Sequence, residues 1–165
     1  MSELNDLIEV VGVAKKFPEF DGGDYWTQTS IPETLTIPEQ KPDIEQLFKI
    51  VVKVDIISQR IVKTPISCAS NLAGEYLSGK KLIIEGFLNQ KIFYVADVAE
   101  QSVHAAHFKV PFSDFIVIPC ETNINDKFRI DRYIEDVFVK AVDKRTVFKN
   151  VTLCLHAVST DCYCC

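Results

Sequence analysis

Cysteine is the residue type whose number and placement could carry chemistry in this chain. The sequence has six cysteines, three dispersed and three within the last four residues. Thiols near a chain end are poorly explained by core packing and can reach a neighbouring chain, so intermolecular disulfides are the favoured interpretation. A zinc site would need paired C-x-x-C motifs, which this sequence lacks, although a site borrowing Cys154 and His156, or a tail without function, remains an alternative. The cross-linking candidates are Cys68, Cys120, Cys154, Cys162, Cys164 and Cys165.

The other residue types give no pattern that supports catalysis or cofactor binding. His104 and His107 are three apart, and on a strand this spacing sends them to opposite faces, so they could not hold one metal together. The six glycines form no phosphate-binding loop. The acids between Asp126 and Asp136 are spread over strand and loop without a paired-carboxylate geometry. We therefore expect no enzyme activity, no metal and no cofactor.

Length and charge restrict the class of protein. The 165 residues suit one domain, and their net charge of −5 is unevenly spread. Residues 1–42 carry eight acids and three bases, whereas residues 43–165 carry fifteen of each. This distribution argues against nucleic acid and anionic membranes, which both attract basic patches. No uncharged run exceeds eleven residues, and a membrane helix needs about 20. The opening acids, Glu3 and Asp6, predict that no secretory signal peptide is present.

The composition favours strands over helices. Valine and isoleucine together number 35, against 20 for leucine, alanine and methionine, and residues branched at Cβ pack well on a pleated sheet. The alternation predicts half-buried strands over Phe48–Ile56, Ser102–Phe112 and Thr146–Ala157. Roughly eight strands with turns between them and no long helix predict an all-β fold. We expect a two-layer antiparallel β-sandwich or open barrel with an N-terminal arm.

A tight hairpin is predicted where two strand-like runs meet. Lys81–Leu88 and Lys91–Asp97 are separated by Asn89 and Gln90, and two residues are the usual spacing of such a turn. Phe115–Ile118 reads as a further short strand that Pro119 ends.

The N-terminal segment is a candidate donor strand. We expect an arm over residues 1–32, a β domain over 33–158 and a cysteine-rich tail over 159–165. The run 7–13 is apolar and rich in β-branched residues, and the turn-rich stretch Pro18–Asp24 follows it. Such a strand could pair with an exposed sheet edge of another chain, or within its own domain. The assembly candidates are Leu7, Ile8, Val10, Val11 and Val13.

Four motifs in order make a family resemblance specific. They are ETLTIPEQKPDIEQ from Glu33, EGFLNQKI from Glu85, QSVHAAHFKVPF from Gln101 and IEDVFV from Ile134. The chain resembles the SPOCS domain, the spore coat and spore morphogenesis domain of spore-forming Firmicutes, over about Leu7 to Ala157. The resemblance implies a non-enzymatic role at the spore surface or in coat assembly and supplies no catalytic residues. The cysteine-rich tail departs from a minimal domain, and we expect no peptidoglycan-binding module of the kind that larger members carry.

Two functions follow as hypotheses. The first is a structural subunit of a spore outer layer or appendage, which self-assembles into a filament or lattice through strand contacts and is cross-linked by disulfides. Its partners would be further copies and other spore coat proteins, with no nucleic acid and no membrane insertion. It would be made in the mother-cell cytoplasm without a signal peptide and end in the coat. The alternative is an adaptor that binds a coat-morphogenesis protein, and a metal-thiolate protein is a weaker third option.

Overall fold

The computed structural model describes residues 8–70 and 74–160, and within them the chain is all β. The candidates Leu7, Cys162, Cys164 and Cys165 lie outside these residues. No helix long and apolar enough to cross a membrane occurs in the part described. The strands are β1 (Glu9–Val11), β2 (Tyr25–Thr36), β3 (Ile44–Ile66), β4 (Ser78–Ala96), β5 (Val103–Val117), β6 (Phe128–Ala141) and β7 (Thr146–Ser159).

Two sheets pack face to face, which confirms the predicted β-sandwich. The four-stranded sheet has the order β1-β3-β4-β5, and the three-stranded sheet has the order β2-β7-β6. All neighbours are antiparallel except β1 and β3, which are parallel. The predicted alternation is confirmed for most positions, since the buried faces carry Ile50, Val52 and Val54 on β3, Ala106 and Val110 on β5, and Val147, Val151, Leu153, Leu155 and Ala157 on β7. Phe48 departs from it, because a bulge between Leu47 and Lys49 leaves Leu47 in the core and the Phe48 ring 6.2 Å from that of Phe93.

The predicted hairpin at Asn89 and Gln90 is wrong, because β4 runs straight through both residues. Neither residue is the glycine that a two-residue turn favours, and the alternation of buried positions continues without a break from Leu82 to Ala96. The Asn89 side chain donates a hydrogen bond to Asp55 on the adjacent strand. Phe115 likewise belongs to β5 rather than to a separate strand. The described residues therefore form seven strands, where about eight were expected, and all but β1 are at least twelve residues long.

Arg145, in the turn between β6 and β7, fastens one end of the sandwich. Its guanidinium donates to the carbonyls of Ile37, Pro38 and Lys41 at 2.8–3.1 Å and to the Asp43 carboxylate at 2.7 Å. These acceptors all lie on the connection from β2 to β3, which joins the two sheets. A planar guanidinium can donate to several acceptors at once, so this one side chain links the β2–β3 connection to the β6–β7 turn.

The segment before β2 packs on the domain instead of extending as a free arm. After β1, Gly12 has a φ of 117°, and a Cβ there would collide with the Val52 carbonyl. The Ala14 N–H then donates to the Ile134 carbonyl at 2.9 Å, so the chain has crossed to the edge of β6. Residues 14–24, which we call the strap, continue over the outer face of the three-stranded sheet. The free N-terminal arm is therefore not confirmed, and residue 33, where the β domain was predicted to begin, lies inside β2.

Aromatic rings hold the strap in place. The ring of Phe17 lies 5.8 Å from that of Tyr133 on β6. Phe20 stacks on Trp26 of β2 at 5.2 Å and meets the His156 imidazole of β7 edge-on at 4.8 Å. Because these rings come from all three strands, the strap spans the whole width of the sheet.

Candidate assembly surfaces

The predicted donor strand lies at the edge of the four-stranded sheet. Glu9–Val11 pairs in parallel with Lys49–Val51 of the same chain, which is the pairing within the domain that the sequence leaves open. Ile8 and Val10 pack against the core, whereas Val11 and Val13 are 38% and 37% exposed. The strand is only three residues long, so few backbone hydrogen bonds hold it, each worth about 1 kcal/mol net.

Beyond β1, the edge of β3 is open. Among the described residues no strand pairs with the outer edge of β3 beyond Val51, although Gly12 lies against the Val52 carbonyl. The ladder between β3 and β4 stays regular from Val52 as far as a bulge between Ile56 and Ser58. An uncovered edge presents unpaired N–H and C=O groups, which is a template for a strand from another chain. The candidate donor strand and a short uncovered stretch of edge therefore lie next to each other on one side of the sheet.

The other three edges carry features that obstruct strand addition. Pro111 lies within β5 and Pro32 within β2, and a proline in an edge strand offers no N–H donor to an added strand. On β6, the Gln59 carboxamide accepts from the Phe128 N–H at 2.9 Å and donates to the Phe128 carbonyl at 2.7 Å. The Ala14 contact occupies a second point on β6. Gln59 belongs to β3 and Gly12 lies against the Val52 carbonyl, so the uncovered stretch of the β3 edge is the part between these two contacts.

The described cysteines fall into two groups. Cys68 and Cys120 are exposed and free, whereas Cys154 is buried and free. Burial raises the pKa of the Cys154 thiol to about 11, and the nearby Glu135 carboxylate adds to that effect. Because a thiolate is the reactive form, Cys154 is a poor candidate for cross-linking in the folded chain. Cys68 and Cys120 keep the accessibility that cross-linking needs.

The histidines behave as the strand spacing predicts. His104 lies on the inner side of β5 beside Tyr94, with its ring 5.9 Å away, and bonds to the Ser102 hydroxyl at 3.0 Å. His107 is exposed on the opposite face. No cluster of three or more metal-binding side chains exists in the described ranges. Cys154 and His156 share the outer face of β7, opposite the buried Leu153 and Leu155, but among the described residues they belong to no group of three metal-binding side chains.

Three polar side chains on the inner faces were not foreseen. Lys149 is fully buried, and its ammonium has no hydrogen-bond partner in the structure. Burial lowers its pKa to about 8, although the Glu33 carboxylate on the adjacent strand opposes that change. Gln90 is also buried without a partner for its carboxamide. Burial likewise raises the pKa of Asp114 on β5, while hydrogen bonds from Phe115 and Thr27 act against the shift. These three side chains place polar atoms in an otherwise apolar core.

Comparison with known proteins identifies the family. The family model described as SipL, SPOCS domain matches residues 43–142, which span β3 to β6. No curated protein and no solved structure matches the chain. The match leaves out β2 and β7, without which β6 would have no partner strand. Because the family model covers more than half of the sequence, the chain belongs to the SPOCS domain family, a non-catalytic family whose role is related to sporulation.

Proposed function

We propose that this chain is a structural subunit of a spore outer layer or appendage, which self-assembles by donating β1 to the β3 edge of the next copy. The observation that carries the proposal is the three-residue parallel pairing of Glu9–Val11 with β3, beside an uncovered stretch of the same edge. The sporulation family supports the biological setting. The guarded edges of β2, β5 and β6 restrict where a strand from a neighbour can add.

Exchange of β1 between copies costs little in contacts. A donated Glu9–Val11 makes with a neighbouring β3 the same backbone bonds that it makes with its own, so the closed and exchanged forms differ mainly in connectivity and association entropy. Gly12 can act as the hinge of this exchange. Its φ is positive in the structure, and a residue without a Cβ can change to other backbone conformations at little steric cost. The strap beyond Ala14 stays on its own sheet while residues 8–13 reach out. Each contact joins two different surfaces, and such contacts grow into filaments when they do not close.

Disulfides then make the assembly permanent. The candidate thiols are Cys68 and Cys120, which are exposed, and the sequence adds Cys162, Cys164 and Cys165. Substituting the three terminal cysteines with serine should leave assembly intact but lower its resistance to heat combined with denaturant. Equal resistance of that variant and the wild type would count against cross-linking through these residues.

Negative-stain electron microscopy of the purified chain, with and without reductant, tests the assembly. We expect ordered fibres or sheets from the wild type and none from a variant lacking residues 1–13. A Val98→Thr variant is the control, since Val98 lies between β4 and β5, away from β1, and is 37% exposed. Fibres from the shortened chain would refute strand donation.

A peptide of residues 1–13 added to the shortened chain separates lost folding from lost donation. A labelled peptide should bind the shortened chain and raise its fluorescence anisotropy, whereas a scrambled peptide of the same composition should not. Circular dichroism of the shortened chain would show whether the sandwich still folds. A shortened chain that is folded but does not bind the peptide would contradict the proposal.

The adaptor remains a second candidate because of one surface feature. Trp26 and Phe17 are 42% and 43% exposed around the strap, and partly exposed aromatic rings are frequent anchors of protein interfaces. An adaptor would give small uniform particles in both redox conditions and would need a partner protein to form an interface of about 1,600 Å².

A further inference from the structure

The outer face of the four-stranded sheet carries a regular array of lysines and phenylalanines. Lys49 of β3 lies beside Phe93 of β4. In the next row of outward-facing residues, Lys91 of β4 lies beside His107 of β5. The following row aligns Lys53, Asn89 and Lys109, and Phe87 comes after it on β4. We call this surface the lysine–phenylalanine face; its members are Lys49, Lys53, Lys91, Lys109, Phe87 and Phe93.

Its cations are held over its rings. The ammonium of Lys91 lies 4.8 Å from the centre of the Phe93 ring, and that of Lys49 lies 5.9 Å from the same centre. The ammonium of Lys109 lies 4.2 Å from the centre of the Phe87 ring. Cation–π contacts of this kind contribute about 0.5–1 kcal/mol at exposed sites and fix the position of each charge.

The face has more positive charge than its own carboxylates neutralise. Lys53 pairs with Asp55 at 3.2 Å and Lys49 with Glu9 at 3.4 Å. No described carboxylate lies within ion-pair distance of Lys91 or Lys109. An open groove of about 340 Å³ lies among Lys53, Lys91, His107 and Lys109. Like charges on neighbouring strands repel one another, so an anion in this groove would relieve that repulsion.

The complementary surface lies on the other side of the sandwich. Residues 17–26, the end of the strap and the start of β2, contain the acids Glu19, Asp21 and Asp24 and no lysine or arginine. Glu19 and Asp21 are exposed, and the partly exposed rings of Phe17 and Trp26 stand at the two ends of this acidic segment. Its mixture of carboxylates and rings matches the mixture of ammonium groups and rings on the lysine–phenylalanine face.

We propose that the lysine–phenylalanine face binds residues 17–26 of a second copy of this chain. The two surfaces lie on opposite outer faces of one sandwich, so they cannot meet within a chain, and pairing between copies stacks the three-stranded sheet of one on the four-stranded sheet of the next. That contact joins unlike surfaces and therefore extends into an open series. The idea rests on the proposed self-assembly and adds to it a second contact, one that depends on charge.

Charge reversal in matched pairs tests this contact by sedimentation velocity at low and high ionic strength. Lys91→Glu with Lys109→Glu should weaken self-association about tenfold or more at low salt, and so should Glu19→Lys with Asp21→Lys. Lys63→Glu with Lys140→Glu changes the net charge by the same amount away from the face and should leave association nearly unchanged. The chain carrying both reversals should regain association, because its surfaces are complementary again.

The outcomes separate this contact from the strand exchange. Restored association of the doubly reversed chain supports the pairing of these two surfaces. If the wild type associates and neither reversal weakens it, the charge-dependent contact is refuted while strand exchange stands. If the wild type does not associate at any salt concentration, both ideas fail. Thermal unfolding of each variant confirms that the reversals have left the fold intact.

Discussion

Raising the pH should stabilise the folded chain through Lys149. This side chain is fully buried, and its ammonium makes no hydrogen bond in the structure. Its pKa is about 8 in the folded chain against 10.5 in water. Between these two values the unfolded chain binds the proton more tightly than the folded one, so the free energy of unfolding rises with pH.

The size of the pKa shift of Lys149 sets the size of its effect on the free energy of unfolding. Each pKa unit corresponds to about 1.4 kcal/mol, so burial of the charged amine costs the fold about 3 kcal/mol below pH 8. That cost disappears as the pH passes from about 8 to 10.5. At neutral pH, Lys149→Met should therefore stabilise the fold by about 2–3 kcal/mol, because a nearly isosteric apolar side chain replaces a buried charge.

Denaturant unfolding followed by the fluorescence of Trp26, the single tryptophan, measures both effects. The advantage of Lys149→Met over the wild type should shrink steadily from pH 7 to pH 10, and Lys140→Met on the exposed surface is the control. The comparison of two variants cancels the opposite trend from Cys154, whose raised thiol pKa lowers stability above its usual value of 9.0. A Lys149→Met chain that is less stable than the wild type, or an advantage that does not vary with pH, would refute the assignment.

Three further predictions concern packing and accessibility. Gly86→Ala should destabilise the fold by about 1–3 kcal/mol in denaturant unfolding, because a Cβ there would lie 2.5 Å from the Asp55 carbonyl oxygen and 2.8 Å from the Phe112 ring. Gly22→Ala is the neutral control, since a Cβ at that position would have no atom within 4 Å. Arg145→Ala should lower the free energy of unfolding by about 2–3 kcal/mol, since it leaves several acceptors unpaired, and an unchanged midpoint would contradict this. In a chain whose terminal cysteines are serine, iodoacetamide should label Cys68 at once but Cys154 only after unfolding, as mass spectrometry of the peptides would show; equal rates would argue against burial of the latter thiol.

Local alternation made most of the sandwich predictable. In β3, β5 and β7 the inner residues are the β-branched and apolar ones that the pattern places on one face, because side chains of a strand point alternately to the two sides. The hairpin error in β4 has the same origin. A polar pair looked like a turn, yet Asn89 lies on the outer face and Gln90 occupies a core position in an unbroken alternation. The burial of Lys149 was not predicted for a related reason. Its charge argues against a core position, although the alternation puts it on the same face as Val147 and Val151.

Contacts between distant segments could not be predicted from the sequence. The ring of Phe20 meets Trp26 and His156 only because the strap crosses the outer sheet, and no local period encodes that crossing. The array of lysines and rings depends on the registers of three strands, which loop lengths and bulges decide. The candidate donor segment was proposed from its composition, whereas its parallel partner on β3 became apparent only from the structure.

Disulfide trapping between two single-cysteine chains tests strand donation most directly. In a background without native cysteines, one chain carries Glu9→Cys and the other Lys49→Cys. These two positions are partners in the parallel ladder, and the Glu9 carboxylate and Lys49 ammonium lie 3.4 Å apart. Mixed and oxidised under assembling conditions, the two should form a disulfide-linked heterodimer in high yield, well above the dimers that either chain forms alone. Failure to trap that heterodimer, together with efficient closure within one chain carrying both cysteines, would show that β1 stays in its own domain.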